Sequence, residues 1–220
     1  MAALAVAHRG DPYRHRENTL PSLRSALRAG ADAVEMDVRL TRDGVPVLLH
    51  DPTLKRLWGV ESPVAGLAAD RLPAGVPTLY DALAAVDGCR ALVDLTLPAS
   101  AGPVLSAVRE AGAGDRTYYC GEAAAVLAVR DLDPAAEIAL TWKTSAAVPP
   151  LLLSELRPRW INLRFGLVRV PLVEWARGER LLVAAWTVDL RRTMRRLERL
   201  GVDAVTSNRI DVLRAELGGR

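Results

Sequence analysis

The chain is short of lysine, histidine, cysteine and phenylalanine. Lys55 and Lys143 are the only lysines among 29 basic side chains, Phe165 is the only phenylalanine, and there are two cysteines and three histidines. Cys89 and Cys120 stand far apart without metal-type spacing, which excludes a zinc module or disulfide scaffold and suits small buried residues in a reducing compartment. No apolar run reaches the ~18 residues that span a bilayer, so no transmembrane segment is expected. The opening MAALAVAH lacks the basic start and long apolar core of a secretory signal; it reads as a first strand, and a cytoplasmic location is expected. Net charge is only +3, and the arginines are dispersed apart from Arg191-Arg192 and Arg195-Arg196. With no interleaved aromatics or recognition motif, that cluster reads as a solvated helix face, so no nucleic-acid partner is expected.

What is present is concentrated between His8 and Asp51, a stretch that holds all three histidines, His8, His15 and His50. Within it AVEMDV alternates, predicting a strand with Val34, Met36 and Val38 on one face and Glu35 and Asp37 on the other. Side chains two apart on a strand stand ~7 Å from each other, given a rise of ~3.3 Å per residue. Two carboxylates that close, on a strand buried on both faces, repel and lose hydration. A bound cation resolves the conflict, and oxygen donors suit a hard one, Ca²⁺ or Mg²⁺. The alternative is a solvated face of an edge strand. Downstream, Asp43-Gly44 signals a tight hairpin. With a two-residue loop, opposed residues sum to about 87, which sets His50 across from Asp37 and on the same face. Pro46 marks the returning arm, 45–49, as lying outside the main sheet.

His8-Arg9-Gly10, Glu17-Asn18-Thr19-Leu20, Glu35-x-Asp37-Val38, Thr41-x-Asp43-Gly44 and His50-Asp51, in that order, resemble the signature of the glycerophosphodiester phosphodiesterase family. The resemblance weakens in the middle of the chain and returns at Ala185-Trp186-Thr187-Val188-Asp189 and Gly201-Val202-Asp203-Ala204. It implies a TIM (β/α)8 barrel with a hairpin and a short irregular insertion after the second strand. The residues agree: strands are readable at Leu4–Ala7, 33–38, Ala91–Leu95, Arg116–Tyr119, Glu137–Thr141, Trp160–Leu163, Leu181–Trp186 and Ala204–Thr206, and 220 residues suit one such domain spanning 1–220. Helices are expected from Thr19, as N-cap, to Gly30, and over 101–111, 122–131, 146–157, 190–200 and 209–217. Residues 52–77, rich in proline and glycine, read as a small lid over the mouth.

Barrel chemistry sits at the C-terminal ends of the strands, and His8, Glu35, Asp37, His50, Asp94 and Trp186 all fall there. The resemblance implies hydrolysis of a small-molecule glycerophosphodiester to glycerol 3-phosphate and an alcohol. In that reading His8 and His50 exchange protons, Arg9 contacts phosphate, and Glu35 and Asp37 hold the metal. Glu17 orients the loop of Arg9 through backbone N–H groups, and Asp94 stands where relatives place a third ligand in Glu-x-Lys. Thr96 replaces that lysine, so Lys143, after the strand EIALT, is expected to supply the missing charge, with Arg164 as its competitor. Trp186 is expected to bind substrate or line the mouth. Asp189 and Ser207-Asn208 also depart from the family pattern. A barrel that binds a phosphodiester without turning it over, and a lyase that stops at a cyclic phosphate, stay open. Head group, metal identity and oligomeric state are not readable.

Overall fold

The computed structural model describes residues 3–218. Its strands are β1 (Leu4–Ala7), β2 (Ala33–Leu40), β3 (Pro46–Leu48), β4 (Arg90–Leu95), β5 (Thr117–Gly121), β6 (Ile138–Trp142), β7 (Trp160–Arg164), β8 (Leu182–Trp186) and β9 (Ala204–Ser207). Its helices are α1 (Leu20–Arg28), α2 (Lys55–Trp58), α3 (Leu79–Ala85), α4 (Ala101–Glu110), α5 (Ala123–Leu132), α6 (Pro150–Leu156), α7 (Val170–Gly178), α8 (Arg191–Leu200) and α9 (Ile210–Leu217). Eight strands pair in parallel, and β1 bonds to both β9 and β2, which closes the barrel expected from the sequence. β3 pairs antiparallel with β2 alone, outside the closed ring, where Pro46 removes no barrel hydrogen bond.

Strand alternation sorts the side chains into two layers. Val34, Met36, Val38, Ala91, Val93 and Leu95 face outward into the core shared with the helices. The inward set begins with an apolar plug that includes Val6, Ala33, Leu92, Tyr118, Ala139, Trp160 and Ala184. Two residues further along the same strands the inward positions become His8, Glu35 and Asp37, Asp94, Cys120, Thr141, Asn162, Trp186 and Thr206. These surround one cavity. The period of two therefore builds a dry plug below and a polar cup above from the same strands.

Four expectations need correction. Helices α2, α3 and α7 were not read from the sequence: α2 and α3 have only four and seven residues, and α7 opens on Val170-Pro171 without a capping side chain. Thr19 does occupy the N-cap of α1, but its hydroxyl donates to the Arg16 carbonyl at 2.6 Å and caps nothing. α6 begins at Pro150, later than expected, because Pro149 at φ −58°, ψ 130° lies outside helical geometry. Residues 52–77 are not a lid. They wrap a small core of their own, Leu54 and Val64 against Val47 and Leu49 of the hairpin arm, and none of them lines the cavity.

The hairpin register also differs by one. Thr41 N–H donates to Val45 O at 3.1 Å and Gly44 adopts φ +79°, so the loop has three residues and a left-handed glycine. The pairs are Val38 with Leu48 and Arg39 with Val47, and Asp37 accepts from the Leu49 N–H at 3.0 Å. His50 is therefore not opposite Asp37. It still reaches the cavity because the chain leaves the ladder after Leu49.

Gly121, where β5 ends at the cavity, has φ +134°, and a Cβ there would lie 1.8 Å from the Leu95 carbonyl oxygen. Gly121→Ala should cost ~4 kcal/mol or more, since backbone itself must move. Gly112→Ala, at φ +61° with nothing within 4 Å, should cost only about 1–2 kcal/mol. Thermal melts of the two variants check the contrast.

Candidate active site

The cup is built around three carboxylates. β2 and β4 are in register with Asp37 beside Asp94 and Glu35 beside Leu92. One oxygen from each of Glu35, Asp37 and Asp94 lies within 4.8 Å of the others. Burial, then Asp37 and Asp94, drive the Glu35 carboxyl well above its ordinary range. Burial and Asp37 push Asp94 up to about 6. Three hard oxygen donors crowded into a buried site at this cost form a set that fits a divalent cation.

The loop after β1 supplies the counter-charge. Arg9 takes φ +57°, a left-handed conformation uncommon outside glycine. That turn aims its backbone N–H at Glu35 Oε2, 2.9 Å away, while its Nε sits 2.9 Å from Asp37 Oδ2 outside hydrogen-bond geometry. Gly10 follows at φ +89° because a Cβ there would strike Ser22. Asn18, fully buried, donates from Nδ2 to Asp37 Oδ2 at 2.8 Å. Glu17 does not hold the loop through backbone N–H groups. It accepts from Arg9 Nη1 at 3.0 Å and from Arg56 Nη2 at 2.6 Å. Burial alone would raise its carboxyl, but Arg56 and Arg9 outweigh that and lower it.

The two site histidines are held differently. His8 Nδ1 is 2.7 Å from Asn208 Oδ1, and Asn208 Nδ2 donates to Asp189 Oδ2 at 2.9 Å. Since that amide spends its N–H on Asp189, its oxygen accepts from His8, which assigns the proton to Nδ1 and leaves Nε2 as the acceptor. Burial, then Arg9, lower the His8 pKa, which favours the neutral ring. His50 is 48% exposed, with Nδ1 2.8 Å from Asp51 Oδ1. Arg56 Nε reaches Asp51 Oδ2 at 2.5 Å, and Arg56 holds that carboxyl down at about 2. Glu17, Arg56 and Asp51 thus link the two histidine loops.

Of the remaining expected residues, Lys143 lines the cavity with Nζ 2.5 Å from Glu122 Oε1. Trp186 lines it too, with the Arg164 guanidinium 5.8 Å from its ring centroid. Arg164 is not among the lining residues. The cavity measures about 240 Å³. Besides Arg9 Nε, two of its residues carry buried polar atoms without a partner, Trp186 Nε1 and Asn162 Oδ1.

Sequence reasoning missed Arg39, Arg56, Asn162 and the role of Asn208. Arg39 lies one layer above Asp37, and its Nε and Nη2 donate to the His50 carbonyl at 3.1 and 2.6 Å while Nη1 donates to Thr96 Oγ1 at 3.2 Å. Its signal was the odd-number parity it shares with Glu35 and Asp37. Arg56 had no such signal, because it comes from an insertion without periodicity.

The sequence model of the Glycerophosphoryl diester phosphodiesterase family matches residues 8–212. The chain belongs to that family. It is 25% identical over 230 residues to the glycerophosphodiester phosphodiesterase of Caldanaerobacter subterraneus subsp. tengcongensis, covering 94% of this chain and 95% of the relative. Among solved structures, an Oleispira antarctica phosphodiesterase in complex with the product sn-glycerol-3-phosphate superposes with a TM-score of 0.89 at 22% identity, over 99% of this chain and 97% of that one. A glycerophosphodiester phosphodiesterase from Agrobacterium tumefaciens gives a TM-score of 0.83 at 24% identity, over 98% and 100%. The last two speak to the fold.

A titration follows from the trio. The Asp94 carboxyl, raised to about 6 from 3.8, burdens the metal-free fold above that pH and not below the ordinary value. Metal-free Asp94→Asn should therefore melt near wild type below about pH 4 and increasingly above it as the pH rises to about 6, levelling off beyond that at about 1–3 kcal/mol. The lowered His8 pKa acts in the opposite sense but is shared by both proteins and cancels in the difference. A gap that stays constant with pH would mean the carboxylates do not repel in the folded state.

Proposed function

We propose that this cavity hydrolyses glycerophosphodiesters to glycerol 3-phosphate and an alcohol, with Ca²⁺ or Mg²⁺ held by Glu35, Asp37 and Asp94. The observation that carries the reading is the convergence of three carboxylate oxygens and two imidazoles on one cavity in a chain of this family. Support for the product comes from the Oleispira antarctica relative, which holds sn-glycerol-3-phosphate. A bound cation would polarise a phosphate oxygen and lower the pKa of a hydroxyl placed beside it.

The chain's own residues then divide the work. His8, neutral with Nε2 as acceptor, takes the proton of the oxygen that attacks phosphorus. His50, hydrogen-bonded to Asp51, delivers a proton to the departing alkoxide as its P–O bond breaks. Arg9 and Lys143 face the phosphate as cations, and Glu17 fixes the Arg9 guanidinium. The unpartnered Trp186 Nε1 and Asn162 Oδ1 supply a donor and an acceptor suited to glycerol hydroxyls. The domain 1–220 would act as one unit in the cytoplasm, where the buried free thiols Cys89 and Cys120 stay reduced.

Alcohol release from soluble glycerophosphodiesters, with metal and with chelator, tests the reading. Chelator should abolish turnover and either ion restore it. Binding without turnover under any metal would favour a non-catalytic barrel, and a cyclic phosphate seen by phosphorus NMR would favour a lyase.

Four substitutions resolve the roles. His50→Ala should lower kcat by ~10²–10⁴ with a smaller effect on KM, and the loss should shrink for a diester with a good leaving group. Arg39→Ala should cost about tenfold in wild type and little more in the His50→Ala background, because it acts by fixing the His50 backbone. Lys143→Ala should lower kcat/KM about tenfold, ~1.4 kcal/mol of transition-state binding, whereas Arg164→Ala should do much less. Steady-state kinetics of the single and double variants measure all of these.

A further inference from the structure

Large apolar side chains left exposed are not spread evenly over this barrel. Phe165 follows β7, Val170 opens α7 and Leu190 precedes α8, and they are 41%, 53% and 64% exposed. β7 and β8 are paired neighbours. Arg196 of α8 donates to the Phe165 and Val168 carbonyls at 2.8 and 3.0 Å, which fastens the loop after β7 against α8. The three residues therefore belong to one lip of the cavity mouth. Leu151, 68% exposed in the first turn of α6, extends it toward β6.

The same lip is cationic. Arg164, Arg169 and Arg192 are exposed on it, while Arg191 is paired with Glu216 of α9. The one acid of its loops, Asp189, is turned inward and accepts from Ser207 Oγ and from the Asn208 backbone and side chain. The lip after β1 and β2 is unlike it: there Glu17 and Asp51 engage Arg56. Exposed aliphatic and aromatic groups set among guanidinia suit the boundary of an anionic lipid surface, where the apolar tips enter the headgroup layer and the cations meet its charge. A second copy of the chain fits less well, because a two-fold contact would set the same arginines against each other.

We infer that the β7–β8 lip docks on an anionic lipid surface and so presents the cavity to phosphodiester headgroups held there. This rests on the proposed phosphodiesterase reading for its use, but the docking itself does not require turnover. Arg164, stacked over Trp186, joins the lip to the cavity wall.

Sedimentation with vesicles of phosphatidylglycerol in phosphatidylcholine, against phosphatidylcholine alone, tests it on the full chain, beside turnover of a soluble glycerophosphodiester. Wild type should bind the anionic vesicles at least tenfold more tightly, and 0.5 M salt should release it. Phe165→Asp with Leu190→Asp should lose at least tenfold in vesicle binding and keep soluble turnover. Leu132→Asp, at the far end of α5, should change neither. Equal sedimentation with both vesicle types, binding untouched by the double variant, or a concentration-dependent dimer that the double variant abolishes would overturn the docking. Loss of soluble turnover in wild type would instead strike the enzymatic reading and leave the vesicle result standing.

Discussion

Everything around the mouth of this barrel answers one electrostatic problem, three carboxylates gathered within 4.8 Å at the top of the apolar plug. Like charges in a poorly hydrated place raise their own pKa values, and Glu35 and Asp94 both do so. Each neighbouring element supplies a partial remedy. The left-handed turn at Arg9 aims a backbone N–H at Glu35 and a guanidinium at Asp37, and Asn18 reaches Asp37 from the foot of α1. None of these neutralises the trio, because Arg9 is itself shared with Glu17. A barrel that keeps three acids under-compensated is organised to receive positive charge from outside the chain.

The histidines are protected from this field in different ways. His8 is buried next to Arg9 and tied to Asn208, so a neutral ring with a defined tautomer costs least. His50 stays half in solvent with a carboxylate that Arg56 keeps ionised. One ring is thus fixed in a tautomer with a free acceptor nitrogen, and the other is oriented by an ionised carboxylate. The asymmetry arises from neighbours and not from the histidines themselves. Among the described residues Arg56 is the ionic link between the loops that carry the two rings, which ties the insertion to the site even though it lines none of the cavity.

Much of this was legible in the chain because it depends on period. Alternation along β2 separated Val34, Met36 and Val38 from Glu35 and Asp37, and the structure keeps that division. The barrel followed from counting strands, and the outer position of β3 from Pro46. What depended on one turn residue was misread: Gly44 adds a loop position, and every inferred pair moved by one. Arg56 and the true partners of Glu17 were out of reach, since side chains meeting over 39 positions leave no local pattern. The four residues of α2 fall below the length at which a 3.6-residue period can be seen.

The layer above the carboxylates explains how His50 reached its place despite the misread register. Its carbonyl would be an unpaired acceptor where the hairpin arm leaves the ladder after Leu49. Arg39 meets that acceptor with two N–H groups and spends a third on Thr96, so one guanidinium joins β2, the end of β4 and the His50 loop. The resemblance places a lysine where Thr96 stands, on the strand beside Asp94. Here that strand end carries a hydroxyl, and the positive charge at the same height comes from the neighbouring strand. A fork of fixed geometry can hold a backbone carbonyl and a hydroxyl at once, which a single ammonium on a flexible stem does less well. The exchange moves the cation by one strand and turns it from a free point charge into a strut. It also leaves Lys143, across the cavity on the β6 loop, as the flexible cation that remains at the mouth.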